Sequence, residues 1–295
     1  MSLRSSLGSL WSKVRVRGSP FRVIRCYAMR IAHPLAYCKR RRIAKRKIAE
    51  LTPEQQTRLP GLIQDGCGPA GPDQNSAMLQ ELCAELRRRA QEVEIDMQQR
   101  PGKNFWERLQ TPEDLRSDSL FIRFAMQPAV LKMMCGYFGE LPYLSRISVY
   151  RSHGTNNASW QDSQLWHQDY DDRKMLKLFV YCTDVRDEQD GEFTYIPKTI
   201  SQRIKNTFFP GRISDEEMTR QGGTQHVRKI RGPAGSTFYI DTRGCYHLGS
   251  RMGMGHTRIA FVASFITHAS PQPFFNDITI VHPLTDVEKM VLRCP

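Results

Sequence analysis

A histidine and an aspartate two residues apart, His167 and Asp169, are the first residues in the sequence whose types and spacing suggest chemistry. They lie in the segment LWHQDYD, and the stretch that follows, residues 174–184, is typical of a β-strand. In an extended segment the side chains at i and i+2 point to the same side, so an imidazole nitrogen and a carboxylate oxygen can reach one point. The pair therefore predicts two ligands of a metal ion, although a surface turn can contain the same tripeptide.

A third ligand is predicted at His247. This residue lies in STFYIDTRGCYHLGS, just beyond a strand-like run and after a turn that would return the chain to the same edge. Two imidazoles and one carboxylate leave three positions of an octahedron open, an arrangement that suits non-haem Fe(II) and differs from a fully ligated structural zinc site. Other histidines beyond residue 150 lack a paired context and are expected to be surface or hydrogen-bonded residues: His153, His226, His256, His268 and His282.

Arg258 follows His247 by eleven residues and begins the apolar run TRIAFVASF. An arginine that faces the interior of a barrel is costly unless an anion pairs with it, and its planar guanidinium matches a carboxylate in bidentate fashion. The spacing favours a site for the far carboxylate of a dicarboxylic co-substrate. The alternative is an arginine at a strand end that points to solvent.

The elements that position these residues divide the chain into a helical part and a strand-rich part. Residues 49–140 contain capped helix starts, such as Thr52 followed by Pro53, and apolar residues at helical spacing. Residues 144–270 contain short β-branched and aromatic runs separated by turn residues, which predicts an antiparallel sandwich or small barrel. Residues 200–223 interrupt these runs as a helical insertion, either a lid over the site or plain decoration.

The net charge of +13 belongs to one end of the chain. Residues 1–48 hold fourteen Lys and Arg and no acidic residue, which leaves 29 basic and 30 acidic residues in the other 247. We therefore predict a basic N-terminal extension over residues 1–48 and one domain over residues 49–295. The extension is interpreted as a solvated, partly disordered arm, as a segment that binds an anionic membrane surface, or as an import or nucleic-acid-binding segment. A nucleic-acid partner is the least expected, because the rest of the chain is nearly neutral.

Composition and cysteine spacing bound the class of protein. The chain is 40% hydrophobic and 25% charged, and its longest clean apolar run, residues 259–266, is far shorter than the roughly 18 apolar residues of a spanning helix. The eight cysteines form no CxxC pair, so neither a disulfide framework nor a zinc finger is indicated. We expect a cytoplasmic protein, peripheral at a membrane if the arm binds lipid, with organelle import as a lesser alternative.

The ordered segments LWHQD, GEFTYIPKT and GPAGSTFYIDTRGCYH, with the arginine eleven residues beyond, resemble the phytanoyl-CoA dioxygenase family of Fe(II)- and 2-oxoglutarate-dependent oxygenases. The opening LTPEQQTRL is also similar, so the resemblance covers roughly residues 51–270. It implies an α+β, mainly β fold whose core is a double-stranded β-helix of the jelly-roll, cupin-like kind, flanked by N-terminal helices. It also implies a hydroxylase that uses Fe(II), 2-oxoglutarate and O₂, with ascorbate as an optional reductant, and releases succinate and CO₂.

The resemblance also implies roles for individual residues. His167, Asp169 and His247 would bind the iron, Arg258 would bind 2-oxoglutarate, and Gln168 would support the pocket. The family commonly has a small hydroxyl residue two positions after the distal histidine, but Gly249 stands there in this chain and Ser250 follows, so Ser250 becomes the candidate second contact. The candidate substrate residues are Tyr150, Trp160 and Tyr170.

The expected substrate is a small-molecule or lipid-linked compound with an unactivated C–H bond. The alternative, from a different class, is a non-catalytic β-barrel binding protein that has a vestigial metal site and a basic arm for membranes or polyanions. The sequence does not indicate an oligomeric state.

Overall fold

Helices precede the strand-rich part of the chain in the computed structural model, which describes residues 31–69, 76–93, 105–155, 159–206, 211–249, 251–270 and 277–293. The helices are α1 Pro34–Ala49, α2 Pro53–Asp65, α3 Ala77–Glu92, α4 Leu120–Ala125, α5 Pro128–Phe138, α6 Lys198–Ser201, α7 Asp215–Arg220 and α8 Asp286–Leu292. Within these described ranges, no helix has both the length and the apolar character that crossing a bilayer requires.

Local sequence signals explain where several helices begin. Thr52 and Gln55 form a capping box at the start of α2, with Pro53 at the first helical position. Ser214 accepts a hydrogen bond from the backbone of Glu217 at the start of α7. The segment TPEDLR at residue 111 has similar start signals, but it forms only a short 3₁₀ turn, Pro112–Leu115.

In the part of the chain that the structure describes, nine strands form two antiparallel sheets. The larger sheet has six strands in the order β1-β7-β4-β9-β3-β2, and the smaller has three in the order β6-β5-β8. Their bounds are β1 Cys67–Pro69, β2 Trp106–Arg108, β3 Tyr143–His153, β4 Met175–Tyr181, β5 Phe193–Tyr195, β6 Arg228–Ile230, β7 Thr237–Ile240, β8 His247–Leu248 and β9 Thr257–Ile266.

The six-stranded sheet has two chemically different faces because strand side chains alternate. One face is apolar, and it joins the residues of helices α3 to α5 in the main core. Phe261 on β9 shows this packing: it is fully buried, its ring lies 5.5 Å from that of Phe124, and the ring of Phe121 lies 6.0 Å away. The other face contributes Phe179 and Val262 to a second cluster, which also contains Phe193 and Tyr195 of the smaller sheet. The smaller sheet therefore packs on the side opposite the helices.

Helix α1 overlaps the segment that the sequence assigns to the basic extension, yet it packs on the domain. Ala44 is fully buried in the main core, and Arg40 is only 4% exposed. The Arg40 guanidinium donates to the carbonyl of Leu141 at 2.7 Å and to that of Met290 at 2.6 Å. Residues 34–49 are therefore part of the packed structure. Residues 1–30, which hold the rest of the predicted extension, lie outside the described part of the chain.

Candidate metal centre

The structure brings His167, Asp169 and His247 together. One ligand atom from each residue lies within 4.8 Å of the others. His167 and His247 are partners in an isolated antiparallel bridge, with backbone N–H···O distances of 3.0 and 2.9 Å in the two directions. Directly opposed residues of an antiparallel pair share a face, so the two rings lie side by side with centroids 4.2 Å apart. Asp169 reaches the same side because it follows His167 by two residues.

Both imidazoles are held in the form that a metal ion requires. The Nδ1 atom of His167 lies 2.9 Å from the Leu165 carbonyl, and the Nδ1 atom of His247 lies 3.1 Å from the Cys245 carbonyl. Since a carbonyl only accepts, each Nδ1 is the donor, and each Nε2 presents its lone pair. Burial lowers the pKa of His247 to about 3 and also lowers the pKa of His167, so both rings are neutral near pH 7.

Asp169 supplies the negative charge of the triad. Burial by itself would raise its pKa, but Lys177 and the two imidazoles hold the pKa well below its usual range. The Lys177 ammonium forms an ion pair with Asp169 Oδ2 at 2.6 Å. Burial by itself would lower the pKa of Lys177, and the nearby carboxylate more than offsets this, so both groups stay charged. Two neutral nitrogens and one carboxylate oxygen, all on one side, fit a divalent ion that retains open positions.

One turn supports two of the three ligands. The Thr242 carbonyl accepts the backbone N–H of Asp169 at 2.8 Å, and the Cys245 carbonyl accepts from His247. Asp241 holds this turn, since its Oδ1 accepts the backbone N–H of Gly244 at 2.7 Å. Its Oδ2 lies 2.9 Å from the Lys198 ammonium and accepts the hydroxyl of Tyr137. The turn is thus fixed from several elements before any ligand binds.

The triad lines a cavity of about 350 Å³ between the two sheets, a size that falls within the usual range for small-molecule sites. Arg258 lines the same cavity and is 2% exposed. It donates to the Gly191 carbonyl, and its guanidinium lies 5.8 Å from the centroid of the Tyr181 ring. The arginine therefore faces the interior of the molecule, as its position in an apolar strand predicts, and does not point to solvent.

The remaining candidate residues divide into two groups. Tyr150 and Tyr170 line the cavity. Gln168 and Trp160 are not among its described lining residues. Gln168 donates to the Gly244 carbonyl at 3.2 Å. Trp160 lines a separate depression, and its ring lies under the guanidinium of Arg251. Gln168 sits between two ligands on a locally extended segment, so its side chain points away from them. Ser250 lies outside the described residues, whereas Gly249 lines the cavity.

Several cavity residues were not predicted from the sequence. Lys177 is the one polar residue among the apolar neighbours of the strand LKLFV, and its side chain lines the cavity. Because strand side chains alternate between two faces, this polar residue could have indicated that one face of the strand borders a polar site. Arg212 belongs to the predicted insertion over residues 200–223, lines the cavity, and pairs with Asp162. The insertion therefore contributes a wall residue; whether it moves as a lid stays a prediction. Four further lining residues gave no local signal: Arg108, Arg146, Asp171 and Ser264.

Comparison with known proteins finds similar folds among solved structures but no similar sequence. No protein-family model matches the chain, and no curated protein matches it in sequence. Among solved structures, the non-heme alpha-ketoglutarate-dependent epimerase SnoN from nogalamycin biosynthesis matches 72% of this chain and 83% of its own, at 17% identity and a TM-score of 0.53. The structure of SnoN with Fe³⁺, alpha-ketoglutarate and nogalamycin RO matches 72% of this chain and 84% of its own, at 16% identity and a TM-score of 0.54.

EctD from S. alaskensis, solved with 2-oxoglutarate and 5-hydroxyectoine, is a further match. It aligns with 79% of this chain and 82% of its own, at 13% identity and a TM-score of 0.54. At these identities the likeness shows the fold. The predicted jelly-roll core with preceding helices is therefore confirmed.

Proposed function

We propose that this chain is an Fe(II)- and 2-oxoglutarate-dependent dioxygenase that hydroxylates an unactivated C–H bond of a small-molecule or lipid-like substrate. The observation that carries the proposal is the convergence of His167, Asp169 and His247 within 4.8 Å, in one cavity with the buried Arg258. The solved structures that share the fold include proteins described with Fe³⁺ and alpha-ketoglutarate, or with 2-oxoglutarate, which supports the same cofactors here. The sequence resemblance to the phytanoyl-CoA dioxygenase family supports the hydroxylase activity.

The donor set fits the proposed metal. His167 and His247 would bind Fe(II) through Nε2, and Asp169 through a carboxylate oxygen. Fe(II) bound there with 2-oxoglutarate and O₂ would supply the oxidising power for C–H hydroxylation, with succinate and CO₂ as the other products. Because Asp169 fills the position of the carboxylate ligand, the residues favour hydroxylation over halogenation, in which a halide would need that place.

Residues of this chain would bind the co-substrate, orient the imidazole ligands and shield the triad from water. Arg258 would bind the far carboxylate of 2-oxoglutarate through its guanidinium, in a setting where burial strengthens the ion pair. The carbonyls of Leu165 and Cys245 keep each imidazole in the correct tautomer. Phe179, Phe193 and Val262 line the cavity with apolar surface and limit the access of water to the triad.

The test is anaerobic addition of Fe(II) and 2-oxoglutarate to the full-length protein. A visible charge-transfer band should develop, and admission of O₂ should release succinate. Asp169→Ala should remove the band and reduce succinate formation to the level of a sample without protein, since the ligand is lost. Asp118→Ala removes an exposed carboxylate from the surface and should behave as the wild type.

A binding protein with a vestigial metal site would give no band in the wild type. Wild-type succinate formation by the Asp169→Ala variant would also contradict the assignment, because the proposed iron ligand would then be dispensable.

A further inference from the structure

Three adjacent strands of the large sheet place polar side chains at one level of the cavity wall. Arg146 on β3 and Lys177 on β4 both lie opposite Ser264 on β9. All three residues line the cavity. Opposed residues in antiparallel strands share a face, so the two cationic side chains flank one hydroxyl group.

This level is distant from the arginine proposed to bind the co-substrate. Ser264 lies six residues beyond Arg258 on the same strand, which at about 3.3 Å per residue is a separation of roughly 20 Å along the sheet. Lys177 ties the level to the triad through its ion pair with Asp169. A carboxylate bound at Arg258 therefore lies at a different level of the cavity from Arg146, so the two arginines would bind different anionic groups.

The cavity as a whole carries more positive than negative side chains. Its described lining includes five basic residues and three acidic residues, namely Arg108, Arg146, Lys177, Arg212 and Arg258 against Asp162, Asp169 and Asp171. A bound divalent metal would increase the positive excess, and a dianionic co-substrate would compensate only part of it. A net positive charge around a partly enclosed cavity favours the entry of an anion.

We propose that the level formed by Arg146, Lys177 and Ser264 binds an oxyanion group of the substrate, a phosphate or a carboxylate. The inference rests on the proposed function and narrows its substrate to an anionic small molecule. The guanidinium of Arg146 can bind two oxygens of such a group, Lys177 adds a point charge, and the Ser264 hydroxyl adds a neutral donor. When its oxyanion group is bound there, the substrate would present a carbon near that group to the triad. The negative charge of the group would then determine which molecules bind as substrates.

Arg146 is the residue to change, because Lys177 also contacts a proposed metal ligand. The probes are phenyl phosphate and benzoate, titrated by calorimetry into the full-length protein without added metal, at constant ionic strength. Arg146→Gln should weaken binding of the preferred probe at least about tenfold, since one charge-assisted bidentate contact is lost. Arg123→Gln removes an exposed cation from α4 and is the matched control; its affinity should stay within about twofold of the wild type.

The two probes separate the two sources of the oxyanion. Tighter binding of phenyl phosphate identifies a phosphate group, and tighter binding of benzoate identifies a carboxylate. Absence of binding by both probes in the wild type would overturn the proposal. Equal affinity in Arg146→Gln and the wild type, or a loss confined to Arg258→Gln, would overturn it as well.

A second measurement separates this inference from the proposed function. The concentration of 2-oxoglutarate that half-saturates the visible band should change less than about twofold in Arg146→Gln, since the proposed co-substrate contact, Arg258, lies at a different level of the cavity. A large increase in this concentration would show that Arg146 contacts the co-substrate and would contradict the proposed substrate site. Absence of the band from the wild type would instead refute the Fe(II) and 2-oxoglutarate function, whatever the calorimetry shows.

Discussion

The two faces of the six-stranded sheet have different roles, although the same strands form both. On β9, Phe261 and Ala263 face the helices and are fully buried in the main core. The residues that alternate with them, Arg258, Val262 and Ser264, face the cavity. The helical face is held by apolar packing, whereas the cavity face carries charged and hydroxyl side chains that a ligand could contact. The contrast indicates that stability and binding are assigned to alternate residues of one strand, so they can be perturbed separately.

The largest effect on stability is expected on the helical face. Phe261→Ala should lower the free energy of unfolding by about 3–5 kcal/mol, because it removes a buried ring that packs against two others and leaves a cavity. Urea denaturation monitored by circular dichroism measures the change. Phe261→Leu keeps most of the volume and should cost clearly less. A loss below about 1 kcal/mol for the alanine variant would break the assignment of this face to stability.

A large effect on binding, without a loss of stability, is expected from Arg258 on the cavity face. Arg258→Gln should raise the concentration of 2-oxoglutarate that half-saturates the visible band by roughly 10- to 100-fold, because a charge-assisted hydrogen-bonded pair contributes about 1.5–3 kcal/mol. Its urea midpoint should change little, since removal of a buried positive charge offsets the lost hydrogen bond to the Gly191 carbonyl. Arg258→Lys should recover only part of the affinity. Unchanged half-saturation in Arg258→Gln would show that the co-substrate binds elsewhere.

The smallest and most direct comparison uses two neighbouring residues, Ala263 and Ser264. Ala263→Ser puts a hydroxyl group into the apolar core and should lower the free energy of unfolding by about 1–3 kcal/mol. Ser264→Ala removes a hydroxyl from the cavity wall and should change it by less than about 0.5 kcal/mol. Both variants are compared in one urea series. Equal costs would mean that the two faces are not energetically distinct.

The sequence predicted those parts of the site that depend on local geometry. His167 and Asp169 share a side because they are two apart in an extended segment, and Arg258 faces inward as its apolar surroundings predict. The same alternation, applied to Gln168, would have placed its side chain on the opposite side. Gln168 was assigned to the pocket from the family resemblance, which does not take that orientation into account.

The parts that could not be predicted depend on contacts between distant segments. Arg146 and Lys177 become neighbours only through the register of β3 and β4 on either side of β9, and no local pattern encodes that register. Trp160 follows a segment that includes residues outside the described structure, and its ring lies under the guanidinium of Arg251, 91 residues further along the chain. The basic composition of α1 likewise gives no sign of its inward side, where Arg40 donates to carbonyls that are about 100 and 250 residues away in sequence.

The seating of α1 bears on how the protein should be produced in the laboratory. An expression boundary chosen at residue 49, where the charge composition changes, would delete Arg40 and Ala44 and leave the carbonyls of Leu141 and Met290 without these donors. It would also uncover apolar surface on α5, which invites aggregation during purification. Recombinant chains intended for crystals or assays should therefore start upstream of Pro34.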